Sequence, residues 1–390
     1  MEQPRPPESP QESSSLARVL QKEIQQNGPI PFCRFMELAL YHPRLGYYAK
    51  ADPTRIGRKG DYLTSPTVGS LFGRLLALQW VEVWELLGKP QAFVLIEQGA
   101  HTGLLASDIL RTIREVEPKL WEVVRYWIIE PIPDWQTIQQ QQLETHGVAE
   151  KVCWSSAEPP DVLCPLGVFF CNELVDSFPV HRIRYEDDRW KEWYVGYEGG
   201  QFYWTTGPLS CSELAKELSH LPLPAIPGYS TEICLRAREW LRNISRALSQ
   251  GLFVIIDYGY DTVTYYSPLR SEGTLLAYER HKRYRNLLEK PGQRDLSSHV
   301  DFGSLARWGK EVGHETMGWT DQHHFLIGIA SKYLGVQDRL LGLPRSAAAF
   351  QLLTHPEGFG KTFHVLVQSK GIASPLPLSG LRFARKSLGQ

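Results

Sequence analysis

Short continuous apolar runs alternate with amphipathic helical stretches along this chain, and that alternation limits its fold more than any other feature. Ala92-Phe93-Val94-Leu95-Ile96 is the first run, Arg125-Tyr126-Trp127-Ile128-Ile129 the second, Leu166-Gly167-Val168-Phe169-Phe170 the third, and Gly251–Ile256 the fourth. Helical periodicity predicts helices from about Leu104 to Glu115, Trp135 to Leu143 and Glu232 to Leu248. Strands that carry no polar alternation are buried on both faces, so the pattern predicts an α/β fold with a mostly parallel sheet between helical layers. Phe363–Gln368 reads as one last strand.

The flanks read differently. Leu16, Val19, Leu20 and Ile24 form a helical stripe that Asn27-Gly28-Pro29 stops. Pro31 opens a second helix, Phe32 to Tyr41, and a long helix is expected from about Gly69 to Leu87. Between the third and fourth runs, Val180 to Tyr185, Lys191 to Val195 and Gln201 to Thr205 alternate polar and apolar residues, separated by Asp187-Asp188 and Gly199-Gly200. They predict an antiparallel ribbon. A second insertion, about Glu272 to Val300, is basic and reads as partly helical. The expected organisation is a tail at 1–15, an N-terminal section at 16–88, a core at 89–371 with insertions at about 180–230 and 260–300, and a C-terminal tail at 372–390.

Composition bounds the function. In 390 residues, 42% are apolar and 22% charged, enough for a substantial core. The net charge of -1 gives no global electrostatic reason to bind nucleic acid or an anionic membrane, so neither is expected as a partner. No run of 18 apolar residues occurs, and the Pro/Glu/Gln/Ser-rich first 15 residues lack both a signal-peptide core and the Arg-rich character of a transit peptide. A cytosolic location follows by default, most simply in a bacterium. The six cysteines form no C-x-x-C pair or zinc spacing and read as reduced, buried thiols; no metal is expected. The 12 Trp and 17 Tyr read first as core fillers, with an aromatic-lined cleft as the alternative.

The chemistry concentrates at strand ends. Val94-Leu95-Ile96-Glu97-Gln98-Gly99-Ala100-His101-Thr102-Gly103-Leu104 is a strand ending in an acid, then a glycine turn, then a helix. Ligands of open parallel sheets bind at the carboxyl ends of strands, and glycines let the backbone approach them. A nicotinamide dinucleotide would want glycines at 99, 101 and 104, but His101 and Leu104 hold two of those places. Glu97 would also repel a pyrophosphate. It suits a ligand with a cationic end, such as S-adenosylmethionine (SAM). Ile128-Ile129-Glu130 ends in a second acid, 33 residues after Glu97, where a carboxylate can accept ribose hydroxyls; a capping or solvated Glu is the plainer alternative. The third run ends in Asn172-Glu173, with Asp176 three residues on. These groups can orient a nucleophile and hold its protons, or can simply cap the next helix.

The chain resembles the MidA-like family of SAM-dependent methyltransferases, which includes the mitochondrial complex I assembly-factor methyltransferase. The resemblance runs from about Ile30 to Gly371. It rests on pieces that occur in order, among them Met36–Pro43 with Gly46-Tyr47-Tyr48, Gly60-Asp61-Tyr62-Leu63-Thr64-Ser65-Pro66, Glu97-x-Gly99, Asn172–Val180, Asp257-Tyr258-Gly259 and His299-Val300-Asp301-Phe302. It implies a seven-strand, Rossmann-like SAM-dependent methyltransferase fold with an N-terminal helical cap and inserted β-ribbon and helical segments, SAM as cofactor, and a protein acceptor, with arginine the plausible one. It implies that the loop carrying Gly60, Asp61, Thr64 and Ser65 packs close to the cofactor, beside Glu97, Gly99, His101, Gly103, Glu130 and Asn172. Two departures stand out: His101 replaces a common third glycine, and Thr67 replaces a common Glu.

Methyl transfer from a sulfonium is an in-line displacement, accelerated largely by positioning. Glu173 is the first candidate to orient a protonated arginine, then Asp176 and Asp257. Tyr258 and His299 are candidates for acceptor contacts, with a structural hydrogen bond the alternative for His299. Two other activities stay open: a small-molecule O- or N-methyltransferase, and a weakly active or non-catalytic SAM-fold chaperone. The chaperone's interface would be His281–Arg285 and the ribbon around Tyr185 to Trp204; solvated surface is the plainer reading of both.

Overall fold

The computed structural model describes residues 15–57, 60–156, 166–333, 343–373, 375–385 and 388. The expected tail before Ser15, and Cys164, lie outside the described residues. Two compact units emerge. One unites the chain up to Ala51 with Pro179–Leu235 and Pro268–Ser298; the other comprises Asp52–Phe178, Arg236–Ser267 and His299 onward. Residues 52–88, expected with the N-terminal helices, therefore belong with the sheet that carries the strand-end acids.

That sheet contains β1 (Phe93–Gln98), β2 (Val124–Ile129), β3 (Val152–Ser155), β4 (Leu166–Asn172), β5 (Gln250–Tyr260), β6 (Glu315–Asp321) and β7 (Phe363–Lys370). Their order is β6-β7-β5-β4-β1-β2-β3, and the short strand Val300–Asp301 pairs with the end of β5. β5, β4, β1, β2 and β3 run parallel, and β7 is antiparallel to β5 and β6. Every residue of β1 is buried, as the uninterrupted apolar run requires. The helices α1 (Leu71–Leu86), α2 (Leu104–Val116) and α3 (Pro133–Thr145) supply much of the cover. α1 is buried nearly all round, Leu71 through Trp84, so it lies inside the apolar core. That core joins α1 to Leu95, Val168, Phe170, Val254 and Val365. Each such large side chain contributes roughly 1.5–3 kcal/mol on burial.

The other unit joins the helices Ser15–Asn27 and Phe32–Tyr41 to an antiparallel sheet. In that sheet Ile30–Pro31, Arg189–Glu198, His181–Glu186 and Ser230–Ile233 are neighbours in turn, and Gln201–Gly207 pairs with Arg189–Glu198. The expected ribbon is present. The second insertion is not helical: Leu276–Glu279, Lys282–Tyr284 and Asp295–Ser297 form a three-stranded antiparallel sheet. Arg280 and His281 are both left-handed, with φ of 51° and 60°, which turns the chain back in two residues and pairs Glu279 with Lys282. The helix expected over Glu232 to Leu248 spans only Leu235–Ile244, because Glu232 lies in a strand.

The aromatic residues are mainly core fillers: Trp80, Trp84, Trp240, Tyr47, Tyr126 and Tyr229 are fully buried. The described cysteines are free thiols, but only Cys171 is buried. Cys153, on the short strand β3, is exposed. Among the described residues no helix is long and apolar enough to cross a membrane, and no His/Cys/Asp/Glu group is arranged to hold a metal ion.

Candidate active site

Three adjacent parallel strands bring acids to one edge of the sheet. In register, Glu97 lies opposite Phe170, Gln98 opposite Cys171, and Ile256 opposite Asn172. Glu97 lies one residue before the end of β1, Glu173 follows β4 directly, and Asp257 sits one residue past Ile256. This is the strand edge where open α/β sheets bind ligands.

The turn after β1 is left-handed at alternate residues: Gly99 at φ 82°, His101 at 47° and Gly103 at 79°. Two are glycines, as that conformation favours. His101 adopts it with a side chain, at a cost of roughly 1–2 kcal/mol. The turn closes with Gly103 N donating to Ala100 O at 2.8 Å, and α2 begins as Ser107 N donates to Gly103 O at 3.0 Å.

A cleft opens beside this turn. Glu97, Gly99, His101, Asn172, Glu173 and Thr64 line it, with Tyr62, Thr67 and several apolar residues. Its carboxyl groups are held mostly by neutral donors. Tyr126 Oη donates to Glu97 Oε2 at 2.6 Å. Burial outweighs that bond and pushes the Glu97 carboxyl up to about 7. Glu173 Oε1 accepts from Asn172 Nδ2 at 3.0 Å and from Ser65 N at 3.2 Å. Burial, with the nearby Asp176 charge, pushes it up to about 8. Glu173 is also left-handed, at φ 54°, with its N–H donated to Ile256 O at 2.9 Å. Two buried polar atoms in the lining, His101 Nε2 and Asn172 Oδ1, have no hydrogen-bond partner. Buried groups of this kind are costly unless a ligand or water satisfies them.

Several expected site residues sit behind this lining. Ser65 is buried and joins Glu173 to Gln322, its Oγ donating to Gln322 Oε1 at 3.2 Å. Gly60 lies so close to the Arg55 carbonyl that a Cβ there would collide with it, and Asp61 N donates to Arg55 O at 2.6 Å; both shape the loop. Thr64 precedes the short helix Ser65–Val68. Thr67 accepts from Thr64 N at 3.1 Å and donates back to Thr64 O at 2.8 Å, so the residue in place of the common Glu still ties down the helix start. Asp257 accepts N–H bonds from Val175 at 3.0 Å, Asp176 at 3.2 Å and Tyr258 at 2.9 Å. Burial and the Glu173 charge raise its pKa against those bonds, and its oxygens are engaged in fixing the backbone. Tyr258 Oη donates to Asp176 Oδ2, and the Tyr258 ring packs edge-on against His299 at 5.2 Å.

Glu130, expected to receive ribose, is not among the residues that line the cleft. Its Oε1 accepts from Ile132 N at 3.0 Å and its Oε2 from Gln139 Nε2 at 3.2 Å. The same Gln139 amide donates to His101 O at 2.9 Å, and Gln139 Oε1 accepts from Trp154 Nε1 at 2.8 Å. The His101 ring packs against Trp135 with centroids 4.7 Å apart. Tyr126, Trp135 and Gln139 were missed from sequence: Tyr126 sits inside an apolar run, and Gln139 lies within four successive glutamines of α3.

Fold and cleft together define a SAM-binding enzyme of the open α/β class. Its cleft offers buried carboxyls for a cationic ligand and two polar atoms that await partners. Residues 75–320 match the profile of a family described as S-adenosyl-L-methionine-dependent methyltransferases, and the chain belongs to that family. It is 27% identical to the Drosophila melanogaster protein arginine methyltransferase NDUFAF7 homolog, mitochondrial, over 94% of this chain and 89% of that one. It is likewise 27% identical to the human protein arginine methyltransferase NDUFAF7, mitochondrial, over 90% and 82%. A Burkholderia thailandensis protein crystallised bound to S-adenosyl-homocysteine superposes with a TM-score of 0.85 at 28% identity, over 97% of this chain and 98% of that one. The protein is a SAM-dependent methyltransferase.

Proposed function

We propose that the acceptor is a protein, methylated on an arginine guanidinium. The observation that carries this reading is Glu173, a buried carboxyl lining the cleft at the end of β4, held by Asn172 and Ser65. The names of the relatives, protein arginine methyltransferases, support the same acceptor class.

SAM supplies a methyl group on a sulfonium, which departs as a neutral thioether. The chain's own residues do the rest. Glu97 receives the cationic amino-acid end, while Gly99 and Gly103 admit close backbone approach and Asn172 offers its unpartnered Oδ1. The loop of Gly60, Asp61, Thr64 and Ser65 braces this end of the cleft. Glu173 binds the guanidinium, aims one nitrogen at the methyl carbon, and takes the proton released as the new N–C bond forms. An arginine is protonated at neutral pH, so a carboxylate must orient and polarise it. Glu173 is raised to about 8 in the free protein; an arriving cation brings it back to the ionised form. Asp176 and Tyr258, joined by their hydrogen bond, sit behind the cleft lining with His299 against the Tyr258 ring, and support the Glu173 side of the cleft from there.

Transfer of labelled methyl from SAM into an extract tests the reading. Label is expected in a protein band and, after hydrolysis, in methylarginine. Glu173→Ala is expected to retain S-adenosyl-homocysteine binding and to lose transfer by at least a hundredfold. Label confined to small molecules would sink the protein acceptor, and full turnover by Glu173→Ala would remove Glu173 from the chemistry.

A further inference from the structure

The unit built on the N-terminal helices brings together a thiol, an imidazole and a carboxyl, none of which lines the cleft. Cys33 is the second residue of the helix Phe32–Tyr41, which packs on the strand His181–Glu186. Ile183 pairs with Glu192 in the neighbouring strand, and His181, two residues along from Ile183, stands on the same face as that pair. His181 Nδ1 lies 2.8 Å from Glu192 Oε1. Glu192 is fully buried, and its Oε2 accepts from Ser210 N at 2.7 Å. The Cys33 side chain hydrogen-bonds the same imidazole.

Each member acts on the next. Glu192, with both oxygens engaged, fixes the ring and offsets its charge. Burial lowers the imidazole, but the bonds to Cys33 and Glu192 outweigh burial and push it up to about 10. At neutral pH both ring nitrogens therefore carry protons and donate. Negative charge arising on the Cys33 sulfur meets this protonated ring. It also meets the first turn of a helix, whose N–H groups receive no side-chain cap from Pro31. Cysteines in such surroundings are the reactive ones. A nucleophile bonded to a histidine that a third group orients is the general form of an activated nucleophile. Cys33 is partly exposed, so a small reagent can reach it. A purely structural ion pair between His181 and Glu192 predicts ordinary thiol chemistry at Cys33, and that is the rival to be separated.

We propose that Cys33, His181 and Glu192 form a second reactive site, at which a hydroperoxide oxidises the Cys33 thiol to a sulfenic acid. The sulfur attacks one peroxide oxygen. An S–O bond forms, the O–O bond breaks, and the departing oxygen leaves as water or an alcohol, carrying the thiol proton. The sulfur loses two electrons and the peroxide gains them. His181 donates to the sulfur as charge gathers there, and Glu192 is a positioning residue acting through the ring.

The test exposes the full chain at neutral pH to hydrogen peroxide and dimedone, a trap for sulfenic acids, and follows each cysteine by mass spectrometry of its peptide. Cys153 is the more exposed thiol and serves as the internal reference. Cys33 is expected to be trapped at least tenfold faster than Cys153. His181→Gln, which keeps a donor for Glu192 without the charge, is expected to slow Cys33 at least tenfold. Glu192→Gln, which keeps an oxygen for Ser210 N, is expected to slow it at least threefold. Cys153 is expected to stay within about twofold of wild type in both. Cys211 and Cys234, partly buried in the same unit, report on folding: quicker trapping there marks an unfolded variant, and the ranking in wild type then decides alone. Cys153 trapped as fast as Cys33 in wild type would overturn the proposal. So would an unchanged Cys33 rate in either folded variant.

Discussion

Glu97 and Glu173 line the same cleft as carboxyls pushed up to about 7 and about 8, each chiefly by burial. A raised carboxyl binds its proton more tightly folded than unfolded. The stability it contributes is present below the unfolded value, about 4.3, and is lost as pH rises through the folded value. Glu173→Gln is therefore expected to raise the thermal midpoint of the free protein by a few degrees at pH 9 and to change it little at pH 4, measured by scanning calorimetry. A midpoint that falls at pH 9 would mean that the ionised form is well solvated after all. Ligand binding carries the opposite sign. The cationic end of S-adenosyl-homocysteine needs Glu97 ionised, so affinity is expected to fall by up to tenfold per unit as pH drops from 7 to 5.5. Glu97→Gln should bind more weakly at pH 7.5 and flatten that fall; an equally steep profile in the variant would assign the titration elsewhere. At this scale the sequence was legible where a polar residue ended an apolar run, as at Glu97 and Asn172-Glu173. Glu130 obeyed the same pattern; what stayed hidden is that its oxygens also accept from Ile132 N and from Gln139, a residue that nothing in a four-glutamine run singles out. A hydrogen-bond partner of that kind has no periodicity to betray it.

Among the elements, those that are mostly buried and carry an apolar run were readable. β1, β2, β4, β5 and β7 each announce themselves as apolar runs. β3 and β6 do not: β3 is four residues at the sheet's edge with its last three facing partly outward, and β6 mixes Glu315, Thr316 and Gly318 around a register shift. The misread insertion has a different cause. Its strands are only three or four residues long, and the turn between two of them is Arg280-His281 instead of the Asn-Gly or Gly pairs that signal a hairpin. Two side-chain-bearing residues in succession at positive φ leave stabilisation unclaimed. His281→Gly is expected to stabilise the protein by about 0.5–1 kcal/mol, seen as a higher urea midpoint with an unchanged slope. A lower midpoint would mean that the His281 side chain makes a contact worth more than the strain it bears.

Taken whole, the chain interleaves its two units. The one built on the N-terminal helices draws on three stretches, the first more than a hundred residues ahead of the second, and one apolar cluster holds them: Leu16, Leu20, Phe32 and Phe35 pack with Val180 and Val195 from the ribbon and with Leu275, Ala277 and Leu296 from the second insertion. The middle stretch also has a small cluster of its own around Ile183, Leu214 and Ile233, but the N-terminal helices pack only in the shared one. Contacts so distant in sequence are paid for in loop-closure entropy before they return anything, which favours a unit that forms and opens as one. Leu20 is wholly buried in this cluster, and Leu20→Ala removes three side-chain carbons at a cost of about 2–5 kcal/mol. If the unit is cooperative, that loss is felt across all three stretches. Native-state hydrogen exchange of the variant is expected to quicken at Val195 in Arg189–Glu198 and at Ala277 in Leu276–Glu279 as much as in the helix that carries the substitution. Faster exchange confined to Ser15–Asn27 would show that this helix frays alone and that the ribbon and the second insertion hold together without it.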